Sequence, residues 1–257
     1  MSSIYSDTDI SKAYTDFLPE LKSYLYRLTC GREIANDLTH DTFLKVIEKQ
    51  HQFKGQSSLK TWIFSIATNL AFDWLRKRKR WPETAQDDAK ALAQSDPTYR
   101  TDFLDISENS PAGVFDFKEH INFCFTCIAK TLVIEQQVTL ILKDIYDFKV
   151  NEISIILDSP EGTVKHWLFS ARKIMTEIFD RRCALVNKKG VCYQCSELNG
   201  LFNPKQKKLQ NVFQKADKKK LYILRARLVK AINPLSSNGS ALEDTLMQVL
   251  RKAINEK

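Results

Sequence analysis

FKGQSSLKTWIFSIATNLAFDWLRKRKR, residues 53–80, is the stretch from which the fold is read. Its first six residues are short and polar around Gly55, which marks a loop. Ser58 is a good N-cap, and a helix is expected from there to residue 80. Along it, Leu59, Trp62, Ile63, Ile66, Ala67, Leu70 and Trp74 recur at three-four spacing and form an apolar stripe for a core. Thr61, Ser65, Asn69, Asp73, Arg76 and Arg80 lie towards the other side. The helix ends in Arg76-Lys77-Arg78-Lys79-Arg80. Cations suit a helix C-terminus, but five in a row exceed what the dipole needs and point to phosphates. Pro82 closes this block.

Upstream, Tyr14, Phe17, Leu18, Leu21, Tyr24, Leu25 and Leu28 have the same period, with Pro19 expected to kink the helix or start a new one. A second helix is expected over 33–48, with Ala35, Leu38, Val46 and Ile47 inward. Downstream, residues 82–118 hold eight Asp or Glu against three Lys or Arg, with Pro97 and Pro111 inside them and no sustained period. They read as a flexible acidic linker.

Residues 140–179, LILKDIYDFKVNEISIILDSPEGTVKHWLFSARKIMTEIF, have the form helix, break, short helix (151–157), turn (158–162), helix (163–174). Val164, Trp167, Leu168 and Ala171 face inward. Thr163, Lys165, His166, Arg172 and Lys173 face outward. This pattern fits a helix-turn-helix, whose second helix enters the DNA major groove, and equally an ordinary helical bundle. The tail, 183–257, is cysteine-rich, then very basic from Lys205 to Lys230, then helical over 221–232 and 241–254.

The composition agrees with an all-α chain. Glycine and proline number 7 each in 257 residues, hydrophobic residues make up 43%, and the net charge is +8. Such a charge suits a polyanionic partner. The first residues lack the basic and apolar regions of a signal peptide. No run approaches the length of a membrane span. A cytoplasmic protein without membrane insertion is expected, its six cysteines reduced or bound to metal.

Cys124-x-x-Cys127 and Cys192-x-x-Cys195 give the ligand number and softness of one tetrahedral zinc site, with His120 and Cys183 as alternates. Core packing of Cys124 and Cys127, or redox work by Cys192 and Cys195, explains the same residues. There is no Gly-rich phosphate loop, no nucleophile–base set, and no strand–turn–helix around either pair. An enzyme is therefore not expected.

DLTHDTFLKVIEK (37–49) followed by residues 53–80 resembles the second region of extracytoplasmic-function (ECF) RNA polymerase sigma factors. The stretch ending NEISIILDSPEGTVKHWLFSARK (151–173) resembles their fourth region. The resemblance implies two small helical domains, 10–81 and 119–182, joined by the acidic linker 82–118 and followed by a helical extension, 183–257. It implies core RNA polymerase and promoter DNA as partners, admits an anti-sigma factor, and requires no cofactor. Asp37, Leu38, Asp41, Phe43 and Val46 match the polymerase-docking surface. Phe53, Lys54, Gly55, Gln56, Ser57 and Ser58 match the loop that captures a flipped minus-ten base. Lys60, Thr61, Trp62, Asn69, Asp73, Arg76 and Arg80 fall on the helix that melts and reads that element. Thr163, Lys165, His166, Phe169, Arg172 and Lys173 fall on the helix that reads the minus-thirty-five element. The alternative function is a zinc- or redox-responsive helix-turn-helix regulator.

Overall fold

A computed structural model describes residues 7–95, 117–183, 217–237 and 240–254. Among the described residues the secondary structure is helical throughout. The helices are α1 (Asp7–Thr29), α2 (Arg32–Lys49), α3 (Leu59–Arg76), α4 (Ala85–Ser95), α5 (Phe117–Ala129), α6 (Ile134–Asp144), α7 (Val150–Ile156), α8 (Glu161–Arg182), α9 (Lys218–Lys230) and α10 (Ser240–Ala253).

Most expected helices are found near their expected bounds, but the one expected over 163–174 continues to Arg182, and three further features differ. Pro19 lies inside α1 without ending it. The helix of residues 58–80 stops at Arg76, so most of the cationic run lies beyond it. The segment expected to be a flexible linker contains α4, in which Ala85, Gln86 and Ala89 are buried. Three small or short side chains on one face suffice to seat a helix closely, and hydrophobic periodicity counts alanine weakly.

The chain forms two compact units, and neither is a single stretch of sequence. One comprises residues 1–78 and 133–170, the other residues 79–132 and 171–257. In the first unit, α1, α2 and α3 pack on one another, and α3 also packs against α6 and α7. Leu21, Tyr24, Leu25, Leu28, Ala35, Val46, Ile63, Phe64 and Ala67 are at its centre, each fully buried. An aromatic cluster joins its two segments. The rings of Phe64 and Phe148 are 4.9 Å apart, and the ring of Tyr146 meets Tyr24 edge-on at 5.7 Å. The Tyr146 hydroxyl is 2.7 Å from Ser23 Oγ, and the Tyr24 hydroxyl 2.8 Å from Thr68 Oγ1.

In the second unit, α9 packs on α5 and α10 packs on α4. Tyr222 of α9 lies against Phe125 of α5 at 6.3 Å. Glu243 of α10 is fully buried, and Asn122 Nδ2 donates to its two carboxylate oxygens at 3.0 and 2.8 Å. A buried carboxylate is tolerated only with such donors. Helices α9 and α10 are therefore part of this unit's core.

Candidate nucleic-acid and polymerase interfaces

Helix α2 presents one continuous exposed stripe: Asp37, His40, Asp41, Leu44 and Glu48. These positions are three or four apart and so share a face. Leu44 is 52% exposed and was missed in the sequence. The same spacing that places Asp37 and Asp41 outside predicts Leu44 there too. Two residues assigned to this surface do not belong to it. Leu38 is 7% exposed and Val46 not at all, because both face α1 and α3. Phe43 is half-buried, its ring 5.1 Å from that of Tyr14.

The loop before α3 is fixed at both ends. Phe53 is buried and its ring lies 5.1 Å from that of Trp62, which is itself half-buried. Phe53 is thus an anchor and not a contact residue. Gly55 has φ 70°, a left-handed conformation that glycine adopts without strain. Ser58 caps α3 by accepting from Thr61 N–H at 3.1 Å. Between these anchors Lys54, Gly55, Gln56 and Ser58 are exposed, with Ser57 half-buried.

On α3 the minus-ten residues divide. Asn69, Asp73 and Arg76 form an exposed stripe one helical turn apart, with Lys77 at its end. Arg76 lies 3.8 Å from Asp73 and over the ring of Phe72 at 5.2 Å. Arg80, beyond the helix, is also exposed. Thr61 is fully buried, which removes it from any interface. Lys60 is occupied: its ammonium is 2.7 Å from Glu20 and 5.0 Å from the Phe148 ring centroid. The physical reason is that α3 is covered on two sides, by α1 and α2 and by α6 and α7. Amphipathic periodicity anticipates one covered side.

The helix-turn-helix residues form a short α7 whose N-terminus is closed by Glu152, accepting from Lys149 N–H at 2.7 Å. The turn contains Asp158 at φ 46°, a conformation that aspartate tolerates better than most residues. Ser154 Oγ donates to the Ser159 carbonyl at 2.6 Å and closes the turn. Helix α8 then buries Val164, Leu168, Ala171 and Met175. Lys165, His166, Phe169, Arg172 and Lys173 are exposed, and Thr163 is half-buried. Phe169 is 69% exposed. Lys165 is 3.2 Å from Glu161. Ile155 on α7, 48% exposed, was not singled out in the sequence.

Cys124 and Cys127 are 7% and 3% exposed on the packed face of α5, with Gln86 Nε2 4.0 Å from Cys124 Sγ. Cys183 is half-buried. Cys192 and Cys195 lie outside the described residues, as does the side chain of His120. Among the described residues no His, Cys, Asp and Glu cluster suited to a metal ion is assembled. No described helix is long and apolar enough to cross a membrane.

Residues 13–80, which span α1 to α3, match the family described as Sigma-70 region 2. The likeness to this family thus covers about a quarter of the chain, its first three helices. Three curated sigma factors are similar to it beyond this domain or within it. The ECF RNA polymerase sigma factor SigG of Mycobacterium tuberculosis is 25% identical over 173 residues, 64% of this chain and 47% of SigG. The RNA polymerase sigma factor YlaC of Bacillus subtilis is 33% identical over 86 residues, 34% of this chain and 50% of YlaC. The ECF RNA polymerase sigma factor SigM of Bacillus subtilis is 24% identical over 172 residues, 67% of this chain and 96% of SigM. The chain thus spans about half the length of SigG and of YlaC. In region 2, the exposed elements are the α2 stripe, the 54–58 loop and the Asn69–Asp73–Arg76 stripe of α3.

Proposed function

We infer that this chain is a sigma factor that binds core RNA polymerase in the cytoplasm, recognises promoter DNA and helps to open it, with no catalysis of its own. The observation that carries this reading is the pairing, within the region 2 domain, of an exposed polar loop (54–58) with the exposed Asn69–Asp73–Arg76 stripe. Strand opening is favoured by groups that hold an unstacked base and its phosphates, and these two elements supply both. Asp37, Asp41 and the newly recognised Leu44 form the polymerase-docking face: a leucine framed by carboxylates suits a partner surface with an apolar centre and cations around it. Lys165, His166, Phe169, Arg172 and Lys173 read the minus-thirty-five element, with cations on phosphates or guanine edges.

Each DNA-reading surface is small, so tight promoter binding requires polymerase to hold both. The function requires no zinc ion. Zinc bound by Cys124, Cys127, Cys192 and Cys195 is supported by ligand number and spacing; the burial of Cys124 and Cys127 favours core thiols instead. Run-off transcription with core polymerase on genomic promoters tests the main reading. Promoter-dependent transcripts are expected from the wild type, and Arg76→Ala with Asn69→Ala should lose them on closed duplex before pre-opened templates. No core binding and no transcript would refute it.

A further inference from the structure

The function above leaves the C-terminal extension unused. Helix α9 buries Leu221, Tyr222, Arg225, Ala226 and Val229. Its opposite face carries Lys219, Lys220, Arg227 and Lys230, all exposed, around Ile223, which is 57% exposed. At 100° per residue these five positions fall within a sector about 100° wide. From Lys218 to Lys230 the helix contains no acidic residue. A solvated helix ordinarily intersperses signs, whereas the outer face of α9 carries one sign, which suits a polyanion.

We propose that the outer face of α9 is a sequence-independent contact for the phosphates of duplex DNA. The stripe from Lys219 to Lys230 rises about 16 Å, the length of about five base pairs at 3.4 Å each. The helix is held firmly. Lys218 is 2.6 Å from Asp180, and the Arg225 guanidinium lies 4.3 Å from the ring centroid of Phe179, both near the end of α8. Arg172 and Lys173, also exposed, belong to the same compact unit. A membrane-surface helix needs a broad apolar face to insert. The apolar face of α9 is buried in its own unit, and Ile223 alone is too little. The choice of duplex DNA as the polyanion rests on the proposed promoter-binding function.

The test uses the full chain and a duplex of unrelated sequence, with affinity measured across a range of salt. Each phosphate contact contributes about 0.9 to the slope of log affinity against log salt. The variant K219Q/K220Q/R227Q/K230Q should lower that slope by roughly 2 to 4. The variant K219R/K220R/K230R should retain it, with both variants melting at the wild-type temperature. An unchanged slope in the glutamine variant, or equal loss in the arginine variant, would overturn the proposal. Loss of binding to phosphatidylserine vesicles with an unchanged DNA slope would assign the face to membranes and also overturn it. The two readings fail separately. A reduced slope in a chain that supports no transcription sinks the function alone. An unchanged slope in a transcriptionally active chain sinks this proposal alone.

Discussion

The buried contact between Asn122 and Glu243 gives the sharpest test of whether the C-terminal extension is part of the fold. Asn122→Ala removes the donor that serves both carboxylate oxygens, at 3.0 and 2.8 Å, of a fully buried side chain. A hydrogen bond to a charged group contributes about 1.5–3 kcal/mol. Stripping a buried charge of its partner costs about 3–5 kcal/mol. Glu243 keeps its other contacts, so the lower range applies, about 2–3 kcal/mol. With a urea m-value of about 2 kcal/mol/M, the midpoint should fall by about 1–1.5 M. Glu243→Ala should also destabilise. The double variant should be better than the sum of the singles by about 1.5 kcal/mol or more, because removing both leaves no buried carboxylate short of a donor. Urea titration by far-UV circular dichroism gives the energies, and hydrogen exchange of the α10 amides locates them. If the two effects simply add, to within about 0.5 kcal/mol, the pair is not coupled. The docking of α10 described above would then be wrong.

Asp37→Arg and Leu44→Asp should each weaken core polymerase binding in a pull-down at least several-fold while leaving the melting temperature within about 2 °C; a stability loss with unchanged binding would return both residues to structural roles. Burial holds the phenols of Tyr14, Tyr24 and Tyr146 above the ordinary tyrosine range, Tyr14 at about 12. Their folded values exceed the unfolded value, so their contribution to stability is complete below about pH 10 and declines above it. Each raised phenol can steepen the alkaline loss by at most about 1.4 kcal/mol per pH unit, and Tyr24→Phe should make that loss shallower, read from urea midpoints between pH 9.5 and 11.5. A chelator should leave the melting temperature unchanged if Cys124 and Cys127 are core thiols. A fall of several degrees would identify a structural metal.

Much of this fold was legible because helical periodicity is a strong local signal. Most of each stripe on α1 and α3 was legible from three-four recurrence, although Phe17, Leu18, Trp62, Leu70 and Trp74 are half-buried. What could not be read was which outer faces a second partner covers. Thr61 and Thr68 are polar and periodic with the outside of α3, yet both are fully buried. Phe148 and Tyr146 come from a segment some 80 residues away, and no local pattern announces their arrival. The same blindness placed Lys60 on an open DNA-reading surface, when its ammonium faces Glu20 and Phe148. Leu38 and Val46 were assigned to a docking surface by resemblance although their spacing with Ala35 and Thr42 marks them as core. Leu44 was the reverse case, an apolar residue on a face that spacing alone would have declared exposed.

The alternation of the chain between its two units bears on how the protein emerges from the ribosome. Residues 1–78 leave first, but their unit also needs residues 133–170. At about 5–20 residues per second the early segment waits several seconds for its complement. During that interval the side of α3 that Phe148 and Tyr146 will cover has no protein against it. The second unit waits longer, since it needs the final helices. A stalled or truncated product ending near residue 130 would therefore carry exposed apolar surface, making it a substrate for chaperones and proteases. Nor does a cut at 82, 118 or 182 release a complete unit, so a fragment that behaves poorly in isolation is no evidence against the function of the whole.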